Sequence, residues 1–135
     1  MINSKSFSFL LLFSIFTLFA CKKECHGPKS TSVEGKVILK VHVVHHTWDI
    51  SYSDVYLKYN TTTFPGADST LYDLKQTTDG YGEISFTKLY PGNYYLYTKG
   101  FDATFGATVI GYKQVTISPE NLVNNEMSVT LYVSE

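Results

Sequence analysis

Three histidines lie within five residues of one another, and their type and spacing suggest metal chemistry. His42, His45 and His46 precede Trp48 and Asp49. Imidazole nitrogen binds Zn, Cu and Ni, and two histidines with one carboxylate form a workable ligand set. The spacing matches no metal motif, and adjacent histidines also occur as solvated residues at the end of a strand. Two interpretations stay open: a Zn or Cu site built from His42, His45, His46 and Asp49, or a surface that holds no cofactor.

Aromatic side chains form the second group that could bind a ligand. Six of them fall in predicted loops or at predicted strand ends: Trp48, Tyr52, Phe64, Tyr72, Tyr81 and Tyr90. Flat rings in loops can stack on sugars or cover a protein partner. Tyrosine also packs its ring on a sheet with its hydroxyl in water. A glycan or protein partner and a purely structural role are therefore both compatible with this set.

The elements that must position these side chains are strands. Apolar and polar residues alternate beyond residue 33, which is typical of strands with one buried face. Four residues of the first strand are predicted to point inward: Val37, Leu39, Val41 and Val43. Further strands are predicted at residues 54–60, 71–77, 83–89, 94–99, 108–117 and 127–133. Seven short strands separated by turn residues predict one all-β sandwich domain over residues 33–135.

Motifs of catalysis and of nucleic-acid recognition are missing from the sequence. It contains no Gly-rich phosphate loop, no G-x-S-x-G and no H-E-x-x-H. All 11 basic residues are Lys, so the side chain best suited to bidentate recognition of phosphates and base edges is absent. The formal net charge is -1, without a basic stripe. We therefore predict a protein that is not an enzyme and does not bind nucleic acid.

The first 20 residues have the order of a signal peptide. Lys5 is their only charged side chain, and an apolar run fills residues 7–20. That run is shorter than the roughly 20 residues that a membrane-spanning helix needs. Leu18-Phe19-Ala20-Cys21 resembles the lipobox of bacterial lipoproteins, although Phe19 departs from the small residue usual at its position. The resemblance implies that residues 1–20 are removed and that Cys21 is lipidated; an ordinary signal peptide is the alternative.

A lipidated Cys21 predicts attachment to a membrane through acyl chains. We expect a lipid-anchored protein of the cell envelope, on the outer membrane, facing the periplasm or the cell surface. Residues 21–32 are polar and contain Gly27 and Pro28, which predicts a flexible tether. Lys22-Lys23-Glu24 partly matches the acidic surface-export signal of bacteria of the Bacteroidetes type. Cys25 is then a lone thiol without a disulfide partner.

The turn residues of the second half resemble a known family. The matching residues are Thr78-Asp79-Gly80, Gly82, Phe86, Leu89, Pro91-Gly92, Tyr94 and Leu96. They resemble the signature T-D-x-x-G-x-x-x-F-x-x-L-x-P-G-x-Y-x-L of carboxypeptidase-regulatory-like and Cna-B-type domains. The resemblance implies a seven-stranded prealbumin-like (Ig-like) β-sandwich that serves as a spacer, a stalk or an accessory binding unit and is normally not catalytic. The Pro91-Gly92 pair predicts a type II turn with positive φ at Gly92.

Taken together, these patterns predict a lipid-anchored, non-catalytic structural or binding module. Two alternatives remain from the residues themselves. One is a transition-metal-binding lipoprotein that uses the histidine cluster, and the other is a carbohydrate-binding accessory domain that uses Trp48 and neighbouring tyrosines.

Overall fold

The computed structural model describes residues 35–135, which fold into two sheets. The strands are β1 (Val37–His45), β2 (Trp48–Asp49), β3 (Asp54–Tyr59), β4 (Leu74–Thr77), β5 (Glu83–Leu89), β6 (Gly92–Asp102), β7 (Ala107–Ile117) and β8 (Glu126–Tyr132). Two 3-10 turns, Ser69–Leu71 and Pro119–Asn121, lie between strands. No helix in this part of the chain is long and apolar enough to cross a membrane. The predicted signal peptide, Cys21 and the tether lie outside the described residues.

The prediction of an all-β sandwich is confirmed, and the strand bounds differ in a few places. The two-residue strand β2 was not predicted. The strand predicted at 71–77 begins only at Leu74, because the carboxylate of Asp68 accepts a hydrogen bond from the Thr70 amide and starts a 3-10 turn. Strand β6 is longer than predicted, because all eleven of its residues pair with β7.

Strand β1 is the centre of the first sheet. It pairs in parallel with β8 and antiparallel with β5, and its last two residues pair with β2. The second sheet has the order β4-β3-β6-β7 and is antiparallel throughout. Because β1 pairs with three strands, it sets the positions of the strands that lie beside the histidine cluster.

The core lies between the two sheets. The residues of β1 predicted to point inward, Val37, Leu39, Val41 and Val43, are at most 1% exposed. They are buried together with Phe86, Leu131, Leu57, Leu96 and Val109. Full burial of each such side chain stabilises the fold by about 1.5–3 kcal/mol. This burial fixes which side of β1 faces solvent, and therefore where His42 points.

The turns collect at two ends of the sandwich. One end, called the base, holds Gly35, the turn after β5 and the connection before β8. The other end, called the tip, holds the β1–β2, β2–β3, β4–β5 and β6–β7 turns. The register of β1 with β5 shows this arrangement, because Val37 pairs with Leu89 at the base and His42 pairs with Glu83 towards the tip. The chain therefore enters the domain at the end opposite the tip.

The predicted type II turn at Pro91-Gly92 is not formed. Gly92 has a φ of 158°, close to extended backbone, whereas a type II turn needs about 80° at this position. A left-handed backbone occurs earlier, at Lys88 of β5, with a φ of 59°. It lies where the pairing of β5 with β1 shifts register. Strand β5 is therefore irregular just before it ends, and the Pro91-Gly92 connection leads to β6 of the other sheet instead of closing a hairpin.

Candidate functional site

His42 and Asp49 form an exposed pair on the outer face of the first sheet. His42 Nε2 lies 2.7 Å from Asp49 Oδ1. Strand β2 brings the carboxylate there, since Asp49 pairs with Val44 of β1. The pair stands beside a shallow polar groove of about 480 Å³, whose lining includes Lys40, His42, Asp79, Glu83, Ser85 and Thr130. An exposed pair of this kind contributes little to stability, about 0–1 kcal/mol.

His45 points the other way, into the interior. His45 Nδ1 lies 2.8 Å from Asp102 Oδ2, and the two residues are 3% and 2% exposed. The second carboxylate oxygen of Asp102 accepts hydrogen bonds from the Thr104 and Phe105 amides. The hydrogen bond with His45, helped by these amides, holds the pKa of Asp102 below its usual value. The pair joins the β1–β2 turn of one sheet to the β6–β7 turn of the other.

The structure does not gather the four predicted metal ligands into one set. His42 and Asp49 lie together outside the first sheet, and His45 is enclosed with Asp102. His46 leaves the strand at a φ of 54° and places its ring against those of His45 and Phe105. Among residues 35–135, no group of three or more His, Cys, Asp or Glu side chains is arranged to hold a metal ion.

A cluster of rings covers the outer side of the second sheet. This cluster, called the aromatic face, consists of Tyr56, Phe64, Tyr72, Tyr95, Tyr97 and Tyr112. Tyr56, Tyr97 and Tyr112 are directly opposite one another on β3, β6 and β7. Cross-strand aromatic pairs of this kind stabilise a sheet. The aromatic face therefore begins as a row of three tyrosines across three strands.

The β3–β4 connection lies across that row. Phe64 stacks on Tyr112 with 4.8 Å between ring centroids, and Tyr72 stacks on Tyr97 at 5.6 Å. Tyr97 is only 3% exposed as a result. Burial, with a smaller effect of the neighbouring tyrosines, raises the pKa of Tyr72 to about 12. The rings of the aromatic face are mostly used in contacts with one another.

The rings of the tip are exposed instead. Trp48, Tyr52, Tyr81 and Phe105 are between 51% and 76% exposed. Each comes from a different turn or strand, and within the described residues only Phe105 has aromatic neighbours, the rings of His45 and His46. Tyr52 lies against the β4–β5 turn that carries Tyr81, since its hydroxyl is 3.5 Å from the position of a Cβ atom on Gly80, and clustered apolar side chains commonly mark a binding surface. The tip is therefore the strongest candidate for a ligand site.

The signature residues of the sequence resemblance build the scaffold under these rings. The Thr78 hydroxyl donates to the Ile50 carbonyl and accepts from the Ser53 amide, both at 2.9 Å. The Asp79 carboxylate accepts from the amides of Tyr81 and Glu83. Turns that are distant in sequence are fixed to one another in this way.

A close approach at Gly82 completes this scaffold. Its φ is 72°, and a Cβ atom there would lie 2.8 Å from the Val43 carbonyl oxygen. Both the backbone angle and the missing space require glycine. The β4–β5 turn can therefore pack directly against the end of β1.

Two bulky residues of the tip have a left-handed backbone. Tyr52 and His46 both have a φ of 54°, which is uncommon for side chains of this size. Such strain costs about 1–3 kcal/mol and collects at ligand-binding positions. Lys88 at the base has a similar φ of 59°, so left-handed backbone occurs at both ends of the sandwich.

The six aromatic residues singled out with the sequence fall into three places, with Tyr81 at the tip and Tyr90 at the base. Trp48 and Tyr52 lie at the tip, whereas Phe64 and Tyr72 belong to the aromatic face. Sequence reasoning missed Asp102 and Tyr97. Tyr97 alternates with inward residues of β6 and could have been recognised as outward-facing, but its burial depends on a loop more than twenty residues earlier in the chain.

Comparisons with known proteins support the fold. Neither a protein-family model nor a curated protein matches the chain. A variant of BcpA, the major pilin subunit of Bacillus cereus, is similar with a TM-score of 0.50 and 14% identity, over 74% of this chain and 30% of that chain. A Pseudomonas aeruginosa protein described as a candidate carbohydrate-binding protein has a TM-score of 0.50 and 17% identity, over 76% of this chain and 92% of that chain. The chain thus spans less than a third of the pilin subunit, and these likenesses show a pilin-like β-sandwich fold.

Proposed function

We propose that this protein is a lipid-anchored, non-catalytic binding module of the cell envelope, which binds its ligand at the tip. One observation carries the proposal: the exposed rings of the tip and the point where the chain enters the domain lie at opposite ends. Strand β1 leads from Gly35 to the tip, and its nine residues span about 30 Å. A membrane anchor at Cys21 would leave the tip free for a ligand.

The chemistry of the tip favours a neutral ligand. Its exposed rings are accompanied by the acidic groups Asp49, Asp79 and Glu83, and its four turns contain no lysine. Anionic ligands are disfavoured by this charge distribution, because like charges repel. Aromatic rings with nearby hydrogen-bonding groups suit the apolar faces and hydroxyls of sugars, and the similar Pseudomonas aeruginosa protein is described as a candidate carbohydrate-binding protein. We therefore infer a neutral glycan as the ligand.

Both histidine–aspartate pairs have roles other than catalysis in this proposal. His45 and Asp102 are enclosed and join two turns. His42 is exposed and bonded to Asp49, and neither histidine has a serine or threonine hydroxyl among its hydrogen-bond partners in residues 35–135. A nucleophile within hydrogen-bond reach of its base is the minimum that covalent catalysis requires. The described part of the chain supports binding better than turnover.

The anchor is tested by intact-mass spectrometry of protein purified from a bacterial membrane fraction. The expected mass is that of residues 21–135 plus acyl chains. Cys21→Ser should move the protein to the soluble fraction, whereas Cys25→Ser, the matched control, should leave it in the membrane. An unmodified mass, or equal membrane retention of both variants, contradicts the anchor.

The ligand site is tested on a glycan array with the mature protein. The double variant Trp48→Ala with Tyr81→Ala should lose binding by at least about tenfold, since central aromatic residues dominate binding energy. Tyr90→Ala is the control, because Tyr90 is an exposed tyrosine at the base. Absence of any hit with folded protein contradicts the glycan assignment. Equal losses in the control and the double variant contradict the assignment to the tip.

A further inference from the structure

The base has an apolar surface of its own. Tyr90 is 57% exposed and Val123 is 73% exposed. Tyr59 and Tyr90 line a groove of about 380 Å³, together with Asn60, Lys88, Leu89, Pro91 and Tyr94. The Tyr94 hydroxyl donates to the Tyr90 carbonyl and accepts from the Tyr90 amide. These bonds hold the turn after β5, so the Tyr90 ring projects from a fixed backbone.

The chain enters the domain beside this surface. A Cβ atom added to Gly35 would lie 3.5 Å from the Tyr90 ring. Thirteen residues separate Gly35 from Cys21. If these residues form the flexible tether that the sequence predicts, their root-mean-square span is about 20 Å. A lipid anchor at Cys21 would therefore keep the base close to the membrane surface, and a weak contact there would form at high effective concentration.

Charge also distinguishes the base from the tip. Lys36 and Lys88 are exposed at the base, and neither forms an ion pair in the part of the chain that the structure describes. Glu120 lies at the same end, in the 3-10 turn before β8. Three more lysines, Lys22, Lys23 and Lys29, occur in the sequence between Cys21 and Gly35. The same stretch contains Glu24 and Glu34, so five lysines face three acids at this end, whereas the turns of the tip contain acids and no lysine.

We propose that the base docks on the headgroup layer of an anionic membrane and holds the sandwich upright with its tip outward. Tyrosine rings prefer the membrane–water interface, where their apolar bodies and polar hydroxyls are both accommodated. Lysines near an anionic surface are attracted to its phosphates while their aliphatic stems cover apolar surface. The docking rests on the proposed anchor at Cys21, which brings the base to the membrane.

Lysine acetylation of the lipidated full chain tests this docking. The protein is reconstituted into vesicles of phosphatidylcholine alone or mixed with phosphatidylglycerol, and each lysine is followed by mass spectrometry after brief reaction with a water-soluble reagent. In the anionic vesicles, Lys36 and Lys88 should react about fivefold more slowly than in neutral vesicles. Lys99, which is exposed on β6, should react at the same rate in both.

A second measurement follows the orientation. Trp48 is the only tryptophan in the sequence, and it lies at the tip, so its fluorescence should resist quenching by a spin label on the lipid headgroup. Lys36→Gln with Lys88→Gln should increase that quenching in anionic vesicles. Lys99→Gln with Lys113→Gln, which removes the same charge elsewhere, should not.

The outcomes separate the docking from the anchor. A protein without acyl mass overturns the anchor and, with it, the docking. An acylated protein whose lysines react equally in both kinds of vesicle overturns the docking alone. The docking is also overturned if Lys36 and Lys88 react as slowly in neutral vesicles and in detergent as in anionic vesicles. The base is then covered by the chain itself or by a second copy, and crosslinking in detergent distinguishes these two.

Discussion

The aromatic face and the tip are built from the same kinds of residue and differ in what those residues touch. On the aromatic face, Phe64 and Tyr72 lie on Tyr97 and Tyr112, and Tyr97 has almost no contact with solvent. At the tip, Trp48 and the rings around it are more than half exposed. Ring type therefore does not distinguish a structural cluster from a binding surface in this protein. The stacking of the loop ring Tyr72 on a buried Tyr97 marks the structural cluster, and no ring of the β3–β4 connection covers the tip in this way.

The two regions also differ in what holds them. The aromatic face is held by the rings themselves, which pin the β3–β4 connection to the second sheet. The tip is held from below by buried polar groups, namely the Thr78 hydroxyl and the His45–Asp102 pair. Removing a ring from the aromatic face should therefore weaken the fold, whereas removing a ring from the tip should weaken binding.

The largest expected effect is that of removing the central ring of the aromatic face. Tyr97→Ala should lower the free energy of unfolding by about 3–4 kcal/mol, because it removes a buried ring and leaves a cavity. Tyr112→Ala is the matched control, since Tyr112 is on the same face and is 59% exposed. Tyr112→Ala should lower the free energy of unfolding by about 1 kcal/mol or less. Chemical denaturation followed by circular dichroism measures both, and equal losses would show that the loop does not pack on Tyr97.

Removal of the buried imidazole should have the next largest effect. His45→Ala should lower the free energy of unfolding by about 2–3 kcal/mol, because it leaves an oxygen of the enclosed Asp102 carboxylate without a partner. His42→Ala is the control from the same strand, whose side chain is in an exposed pair, and it should cost less than about 1 kcal/mol. A His45→Ala loss no greater than that of His42→Ala would mean that the two turns are not joined through this pair.

Acid should weaken the same junction. The pKa of Asp102 is lower in the folded protein than in the unfolded chain, so the folded state binds its proton less readily. The resulting stabilisation is present above the unfolded pKa of about 3.9 and is lost as the pH falls through the folded value. The midpoint temperature of thermal unfolding of the wild type should therefore decrease as the pH is lowered below about 4. Asp102→Asn should make the midpoint temperature depend less steeply on pH in this range. An unchanged dependence would assign the acid sensitivity to other carboxylates.

The sequence predicted the sandwich better than it predicted the surfaces. The alternation in β1 gives Val37, Leu39, Val41 and Val43 as inward residues, because a period of two needs no knowledge of partners. The signature around Thr78 and Asp79 also indicated the fold correctly. Asp79 bonds within its own turn, which can be read from the chain, whereas the Pro91-Gly92 pair of the same signature does not form its predicted turn.

The contacts that decide the candidate site depend on register and on distant partners. The Asp102 carboxylate meets His45 across 57 residues of sequence, and nothing in either local pattern connects them. The row of Tyr56, Tyr97 and Tyr112 requires the pairing of three strands to be known. Sequence reasoning could therefore name Phe64 and Trp48 together as aromatic candidates, although the fold places them in different surfaces.

The smallest expected change in stability is at the tip, and it gives the sharpest contrast with the aromatic face. Tyr81→Ala should change the free energy of unfolding by less than about 0.5 kcal/mol, because the ring is 75% exposed and only its backbone amide is bonded to Asp79. Tyr72→Ala, the same substitution in a stacked ring, should cost about 2 kcal/mol. Denaturation curves of the two variants measured side by side check this. A large loss for Tyr81→Ala would make the tip a structural cluster like the aromatic face, and its exposed rings would then give no reason to place a ligand there.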